Sequence, residues 1–352
     1  LNFADRCVKM PKRRVKRCQL AKRPRLDLTS VIDAQTAFSF NLLKELTAVE
    51  ADSLVCSPFS ISACLAIVFV GADGSTKDEL RKLLGNDASD DQIHQYFSGI
   101  LLEIAKKSKS FNLESGSKLC IKDCGVLQDN FEANLKEHYP GVMELFNFNT
   151  KTSLCHKLNS WVNEMTRGLI PNIINDSDIT PKTSLILLNA VYFKGVWVNQ
   201  FKQSRSEDKL FKVSAKMRKT VRMMQQSEKF EYHETIDFKL IRFAYNGGKL
   251  AMYAVLPKKF RDINSLFTGL HETEILGLIA DLKNKEKVKV EVEFPCFEIE
   301  SEHKLSGVLE TMGLSDTLSN CKADLSRIFT CSEPVALDVV IQKAYIKVTP
   351  SY

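Results

Sequence analysis

Apolar positions along this 352-residue chain change period part-way through. Early on they recur every three or four residues. Ala34, Phe38, Leu42 and Leu46 fall four apart, one face of an amphipathic helix. Residues 53–56 predict a short strand. A helix follows, with Ser57 as its cap, Pro58 at its first position and Gly71 just past its end. The run Ser75-Thr76-Lys77-Asp78-Glu79 holds two overlapping capping boxes and predicts a helix through Leu84. Helices are also expected over 89–106 and 129–139. Another is expected along the stripe Leu154, Leu158, Trp161, Val162 and Met165, which Gly168 ends. Strands are expected at 118–126 and 143–148.

From Thr183 the pattern turns to strand. LILLNAVYF is a continuous apolar run, as in a strand covered on both faces. Four strands follow, at 220–226, 228–234, 238–245 and 249–256, the last two joined through Asn246-Gly247-Gly248. Next come a helical patch at 266–282, an alternating strand VKVEVEFPCFEIE broken by Pro295, a short helix at 303–312 and a last strand at 335–349. In that strand Ala344, Ile346 and Val348 alternate with Tyr345, Lys347 and Thr349, which reads as one face on a core. No linker rich in Pro, Gly or Ser separates the helical half from the strand half. The expectation is a single α+β domain over 30–352, preceded by a solvated, disordered arm over 1–29.

Composition supports a packed core, with 44% hydrophobic and 26% charged residues. No apolar run approaches the roughly 18 residues of a membrane helix, so no membrane partner is expected. The net charge of +6 is concentrated in the arm, where residues 6–25 hold ten Lys or Arg and no carboxylate. The segment 12–25 has the form of a nuclear-localisation cluster, and Arg14-Val15-Lys16-Arg17 that of a dibasic processing site. Lys12, Arg13, Arg14, Lys16 and Arg17 are candidate contacts for a heparin-like polyanion. Ten scattered cysteines read as reduced core thiols, and Cys120 and Cys124 have no second pair at zinc-ligand spacing, so no metal site is expected. Asn175 opens a single glycosylation sequon, which matters if the chain is secreted.

Searches for GxSxG, HExxH, GxGxxG and GxxxxGKS motifs find none. His233-Glu234 and His271-Glu272 each lack a second histidine at zincin spacing, and Cys155-His156 are adjacent in sequence only. This argues against a conventional enzyme and against a small-molecule cofactor.

Five motifs point elsewhere. SLVCSPFSIS, LNSWVNEMTRGLI, LLNAVYFKGVWVNQF, VEFPCFEIESEHKLSGVLETMGL and VVIQKAYIKV resemble those of serpins in order and spacing, across nearly the whole body. The resemblance implies a serpin fold of mixed and antiparallel sheets A–C with about nine helices. It implies an inhibitor of serine, and sometimes cysteine, proteases. An exposed loop offers a bait bond, becomes acylated to the protease, and then inserts as a new strand into sheet A. On this resemblance 185–193 is the third strand of sheet A and 335–349 the fifth, carrying Lys343, Ala344, Tyr345, Ile346, Lys347 and Val348. Ser57, Ser60, Asn189 and Gln342 are the shutter beneath the opening point, and Trp197 marks the breach at the top. A strand of about ten residues, bonded on both edges, would gain on the order of 10–20 kcal/mol.

Two departures carry expectations. Gln342 stands where the family usually has histidine, which keeps a donor and acceptor and removes a pH response. Thr349-Pro350-Ser351-Tyr352 stands where the family continues into an acidic hinge. Residues 1–352 are thus expected to lack the hinge, the bait bond and the closing strands of sheets B and C, to trap no protease by themselves, and to be marginally stable. The family points to the extracellular space, and the basic arm and scattered cysteines to the cytoplasm or nucleus. The alternative function is a non-inhibitory serpin-fold protein that binds polyanions through the arm.

Overall fold

The computed structural model describes residues 26–49, 53–106, 111–123, 125–213, 217–258, 272–330 and 335–351. The basic arm through Arg25 lies outside them, as do the first residues of the helical patch at 266–282. Eight α-helices occur among the described residues. These are α1 (Thr29–Val49), α2 (Pro58–Gly71), α3 (Gly74–Gly85), α4 (Asp90–Ala105), α5 (Asp129–His138), α6 (Lys151–Met165), α7 (Glu272–Asn284) and α8 (Ser306–Thr311).

A five-stranded sheet forms the centre. It contains β1 (Phe111–Lys122), β3 (Met143–Phe146), β4 (Leu185–Gly195), β10 (Phe297–Lys304) and β12 (Leu337–Val348), in the order β10-β12-β4-β1-β3. A second group comprises β5 (Glu207–Lys212), β6 (Arg218–Glu234), β7 (Phe238–Ala244), β8 (Ala251–Pro257) and β9 (Val288–Pro295). The long β6 pairs with β5 near its start, with β9 through its middle and with β7 at its end. A small pair joins β2 (Val126–Leu127) to β11 (Phe329–Thr330).

The core has layers set by strand alternation. Leu119, Ile121, Leu185, Leu187, Leu337 and Val340 face a core shared with α1 to α5, and Cys120, Ile186, Leu188, Ile341 and Tyr345 face a core under α6. This is why β4 reads as an unbroken apolar run. The helix α2 is apolar all round because it lies buried inside the first core, where Leu65, Ala66 and Val68 are fully enclosed.

Several expected elements are corrected. Residues 53–56 join no sheet. Instead the Val55 amide donates to Ser301 Oγ at 3.0 Å, and Val55 O meets His303 Nε2 at 2.8 Å. Ser57 is the N-cap of α2 as expected, its carbonyl accepting from the Ile61 amide at 3.2 Å, but its hydroxyl donates to Ser60 Oγ and makes no cap hydrogen bond. The expected capping boxes at Ser75–Glu79 lie inside α3, whose N-cap is Asp73. Glu79 reaches sideways and accepts from the amides of Asp316 and Thr317, tying α3 to the chain after α8. The two strands foreseen at 220–234 are one, and the strand broken at Pro295 is two strands in different sheets. His303 lies in β10, not in the following helix. The last strand is buried on both faces as far as Tyr345, because α6 and the segment after it cover its second face.

Candidate functional site

The site lies at the seam between β4 and β12. These strands pair directly and in parallel, from Leu185 opposite Leu337 to Tyr192 opposite Tyr345, with an irregularity between Leu337 and Val339. A parallel pair between strands so distant in sequence is bonded slightly less well per residue than an antiparallel one. At the seam's lower end Asp338 accepts from the amides of Ser184 and Leu185 at 2.6 and 3.3 Å.

Midway along the seam, three of the four predicted shutter residues bond directly. Gln342 and Asn189 are register partners. Gln342 Nε2 donates to Asn189 Oδ1 at 2.8 Å and to Ser57 O at 3.1 Å, while Gln342 Oε1 accepts from the Ser57 amide at 2.9 Å. Ser60, the fourth, joins through Ser57 Oγ at 2.9 Å and reaches Ser115 Oγ at 3.0 Å. Gln342 is fully buried, and Ser60 and Asn189 nearly so. In such surroundings each lost partner is costly, which couples the α2 N-terminus to the strands on both sides of the seam.

Sequence reasoning missed part of this network. Asn189 Nδ2 also donates to Gly116 O at 3.0 Å, and Cys64 Sγ donates to Ser117 Oγ at 3.0 Å. Burial pushes the Cys64 thiol up to about 12, against the pull of its bonds to Ser117 and Asn189. Leu113, Ser115, Ser117, Leu119 and Ile121 lie on alternate positions of β1, but the small polar members hide the strand in the sequence. Also missed were Ser301 and His303 on β10, both buried. His303 is the register partner of Gln342, so an imidazole lies one strand away from the position where the family usually carries one.

At the seam's upper end Trp197 is buried. Its indole N–H donates to Thr349 O at 3.1 Å, and its ring stacks on Tyr245 with centroids 4.5 Å apart. The Phe201 amide donates to Pro350 O at 3.0 Å. The backbone just after β12 is therefore held on the segment that follows β4. On the outer side of β12, Lys343 pairs with Glu302 and Lys347 with Glu298, each at 2.8 Å. Glu298 also accepts from Tyr345 Oη at 2.6 Å, and bonds to Lys347 and Tyr345 hold its carboxyl below the usual range. Ala344 and Val348 are buried, and Ile346 packs in the core near Trp197.

Above the seam, α6 approaches closely at Gly116. A Cβ there would lie 2.3 Å from Met165 Sδ and 2.7 Å from Trp161. Ile170, Ile173, Ile174 and Ile179, in the segment after α6, share a core with Ile341 and Tyr345 of β12. A strand entering between β4 and β12 must lift this cover. The candidate sequon residue Asn175 lies exposed in the same segment, its amide donating to Asp178 Oδ2 at 2.9 Å. The polyanion candidates Lys12, Arg13, Arg14, Lys16 and Arg17 lie outside the described residues.

The family model for serpins, serine protease inhibitors, matches residues 33–351. The chain is a serpin. Leukocyte elastase inhibitor A of Mus musculus is 32% identical over 325 residues, covering 90% of this chain and 84% of the relative. Serpin B6 of Pongo abelii is 31% identical over 323 residues, covering 90% and 85%. The solved structure of emu (Dromaius novaehollandiae) ovalbumin aligns with a TM-score of 0.84 at 27% identity, covering 92% of this serpin and 87% of that chain. Membership places the chain among protease inhibitors rather than enzymes. In serpin terms the central sheet is sheet A with its third and fifth strands closed on each other.

One energetic expectation changes with this geometry. A strand added at this seam would not create two new ladders, because opening would first break the eight register pairs already joining β4 to β12. The net gain is one ladder, so the figure falls to about half, on the order of 5–10 kcal/mol.

Proposed function

We propose that this serpin is built to inhibit a serine protease by accepting a strand between β4 and β12. The observation that carries the reading is the closed parallel seam, latched by Gln342, Asn189 and Ser57 and covered by α6. A weakly bonded seam with a small set of buried polar latches can open and reseal around a new strand. An added strand would bond on both edges, as in strand addition to a sheet edge. Trapping also needs a bait bond C-terminal to β12. The test of strand acceptance is kept apart from trapping, with the strand supplied separately as a peptide.

The experiment mixes the chain with a synthetic extended peptide of about 12 small residues and follows thermal unfolding and native-gel mobility. Annealing raises the midpoint by at least about 10 °C. An unchanged midpoint with no mobility shift sinks the strand-acceptor reading.

A second reading concerns the arm, where ten cations and no carboxylate between residues 6 and 25 favour a polyanion such as heparin. Its affinity should fall steeply with salt and vanish when the arm is removed. If affinity survives removal, the arm is not the site. For compartment we favour the cell interior over the extracellular expectation, which the comparisons do not support. Among the described residues Cys64, Cys120, Cys155, Cys296 and Cys321 are free thiols, as a reducing compartment leaves them.

A further inference from the structure

The last turn of α6 closes on a residue that its own backbone disfavours. Arg167, directly after the cap Thr166, has a φ of 57°, in the left-handed region where a side chain crowds the next carbonyl. Helices commonly place glycine there. Here the glycine comes one residue later, and the Gly168 amide donates to Asn163 O at 2.8 Å. Among the described residues the only other non-glycine with positive φ is Asn86, a residue type that tolerates it. A long cationic side chain is thus kept where glycine would fit more easily.

What that side chain touches supplies the reason. Arg167 Nη2 donates to Glu114 Oε1 of β1 at 2.9 Å, and its guanidinium lies over the ring of Tyr192 of β4, 5.6 Å from the centroid. A planar guanidinium can stack and pair at once, which an ammonium cannot. Glu114 and Tyr192 are register partners, and Tyr192 is the register partner of Tyr345 on β12. The Tyr192–Tyr345 pair is the last at the upper end of the seam. Arg167 therefore ties α6 to the row of the sheet that a strand entering from above must part first.

We propose that Arg167 is a positioning residue that gates strand entry. It pins the C-terminal end of α6 over the first pair to open, and so sets the rate of insertion rather than the stability of the fold. This rests on the strand-acceptor reading. The bonds that close the turn, from the Arg167 amide to Glu164 O at 3.1 Å and from the Gly168 amide to Asn163 O, lie within the end of α6 and travel with it. The backbone strain is therefore the same before and after α6 lifts, and it cancels in that step. The contacts to Glu114 and Tyr192 are lost in it. Removing the side chain should ease lifting without weakening the fold, because relief of the left-handed backbone offsets the lost contacts.

The first test reads α6 with no strand added. Cys120 is buried in the core under α6, and Cys64 in the core on the other face of the sheet. Their labelling by a maleimide, located by mass spectrometry, separates lifting of α6 from general opening. Arg167→Gly should speed labelling of Cys120 by roughly three- to tenfold and leave Cys64 unchanged. Glu114→Gln leaves the turn untouched and should give roughly two- to fivefold. Arg167→Lys should recover part of the parent's slow rate. The second test adds the extended peptide, which Arg167→Gly should take up faster by a similar factor, while its urea midpoint without peptide is no lower than the parent's. If the parent takes up no peptide, the strand-acceptor reading fails, and the Cys120 rate still decides whether Arg167 holds α6. The proposal is overturned if Arg167→Gly labels Cys120 at the parent's rate, or if Cys64 quickens equally. It is overturned as well if the variant loses urea stability while peptide uptake stays at the parent's rate, since the residue would then be structural only.

Discussion

The side chain of Gln342 bonds both backbone groups of Ser57, accepting from its amide at 2.9 Å and donating to its carbonyl at 3.1 Å. A primary amide can do this in one orientation because its donor and acceptor lie side by side. A third bond to Asn189 crosses the seam. Gln342→Ala removes all three and leaves Ser57 and Asn189 short of partners, at a cost of about 2–4 kcal/mol. Urea unfolding measures it. A loss under about 0.5 kcal/mol would mean that the network holds nothing. Peptide annealing should also quicken, since the latch resists opening.

Trp197 makes a different kind of latch, an indole N–H that donates to the backbone just after β12. Trp197→Phe keeps an aromatic ring against Tyr245 and deletes the bond to Thr349 O. The cost is about 1 kcal/mol, and the uptake rate of an annealing peptide should rise several-fold. If uptake is unchanged, opening does not begin at the top of the seam.

Much of this site was legible in sequence, for reasons that differ by residue. Gln342 and Asn189 sit inside apolar runs, where a polar side chain must have a partner, and both found one. The roles of Ser57, Ser60, Asn189, Gln342 and Trp197 all came from resemblance alone, since a serine before a helix reads first as a cap. Ser115, Ser117 and His303 were not legible, because each belongs to a strand whose local residues favour loop or helix. Only long-range pairing with β4 and β12 makes them strand. The capping boxes in α3 failed because Glu79 is used tertiarily, on the amides after α8.

Gly116 decides how closely α6 can lie on sheet A. Gly116→Val would drive a side chain into Met165 and Trp161, at a cost of about 1–3 kcal/mol from overpacking. Met165→Ala in the same chain should recover part of that loss, because it vacates the nearer contact. Non-additivity in the double mutant is the readout, and strictly additive losses would place the strain elsewhere. A loosened α6 should speed peptide annealing without any change in Gln342 or Trp197.

The last prediction concerns pH. His94 on α4 meets Tyr139 Oη through Nδ1 at 3.0 Å and stacks on His138 with centroids 5.0 Å apart. Burial is the main cause that lowers its pKa to about 4. His138 and Lys77 add to it, and Asp90 and Asp91 oppose it. The folded state therefore keeps this imidazole neutral, while the unfolded chain takes up a proton near the ordinary value of about 6.5. Above that value the group costs nothing. As pH falls from about 6.5 towards 4 the unfolded state binds the proton first, so stability declines, by no more than about 3 kcal/mol. His94→Gln cannot titrate and can still bond Tyr139. Its stability should be flatter across that window than the parent's, as urea midpoints at pH 7 and pH 4.5 would reveal. Parallel profiles for the two proteins would assign the acid sensitivity to other groups.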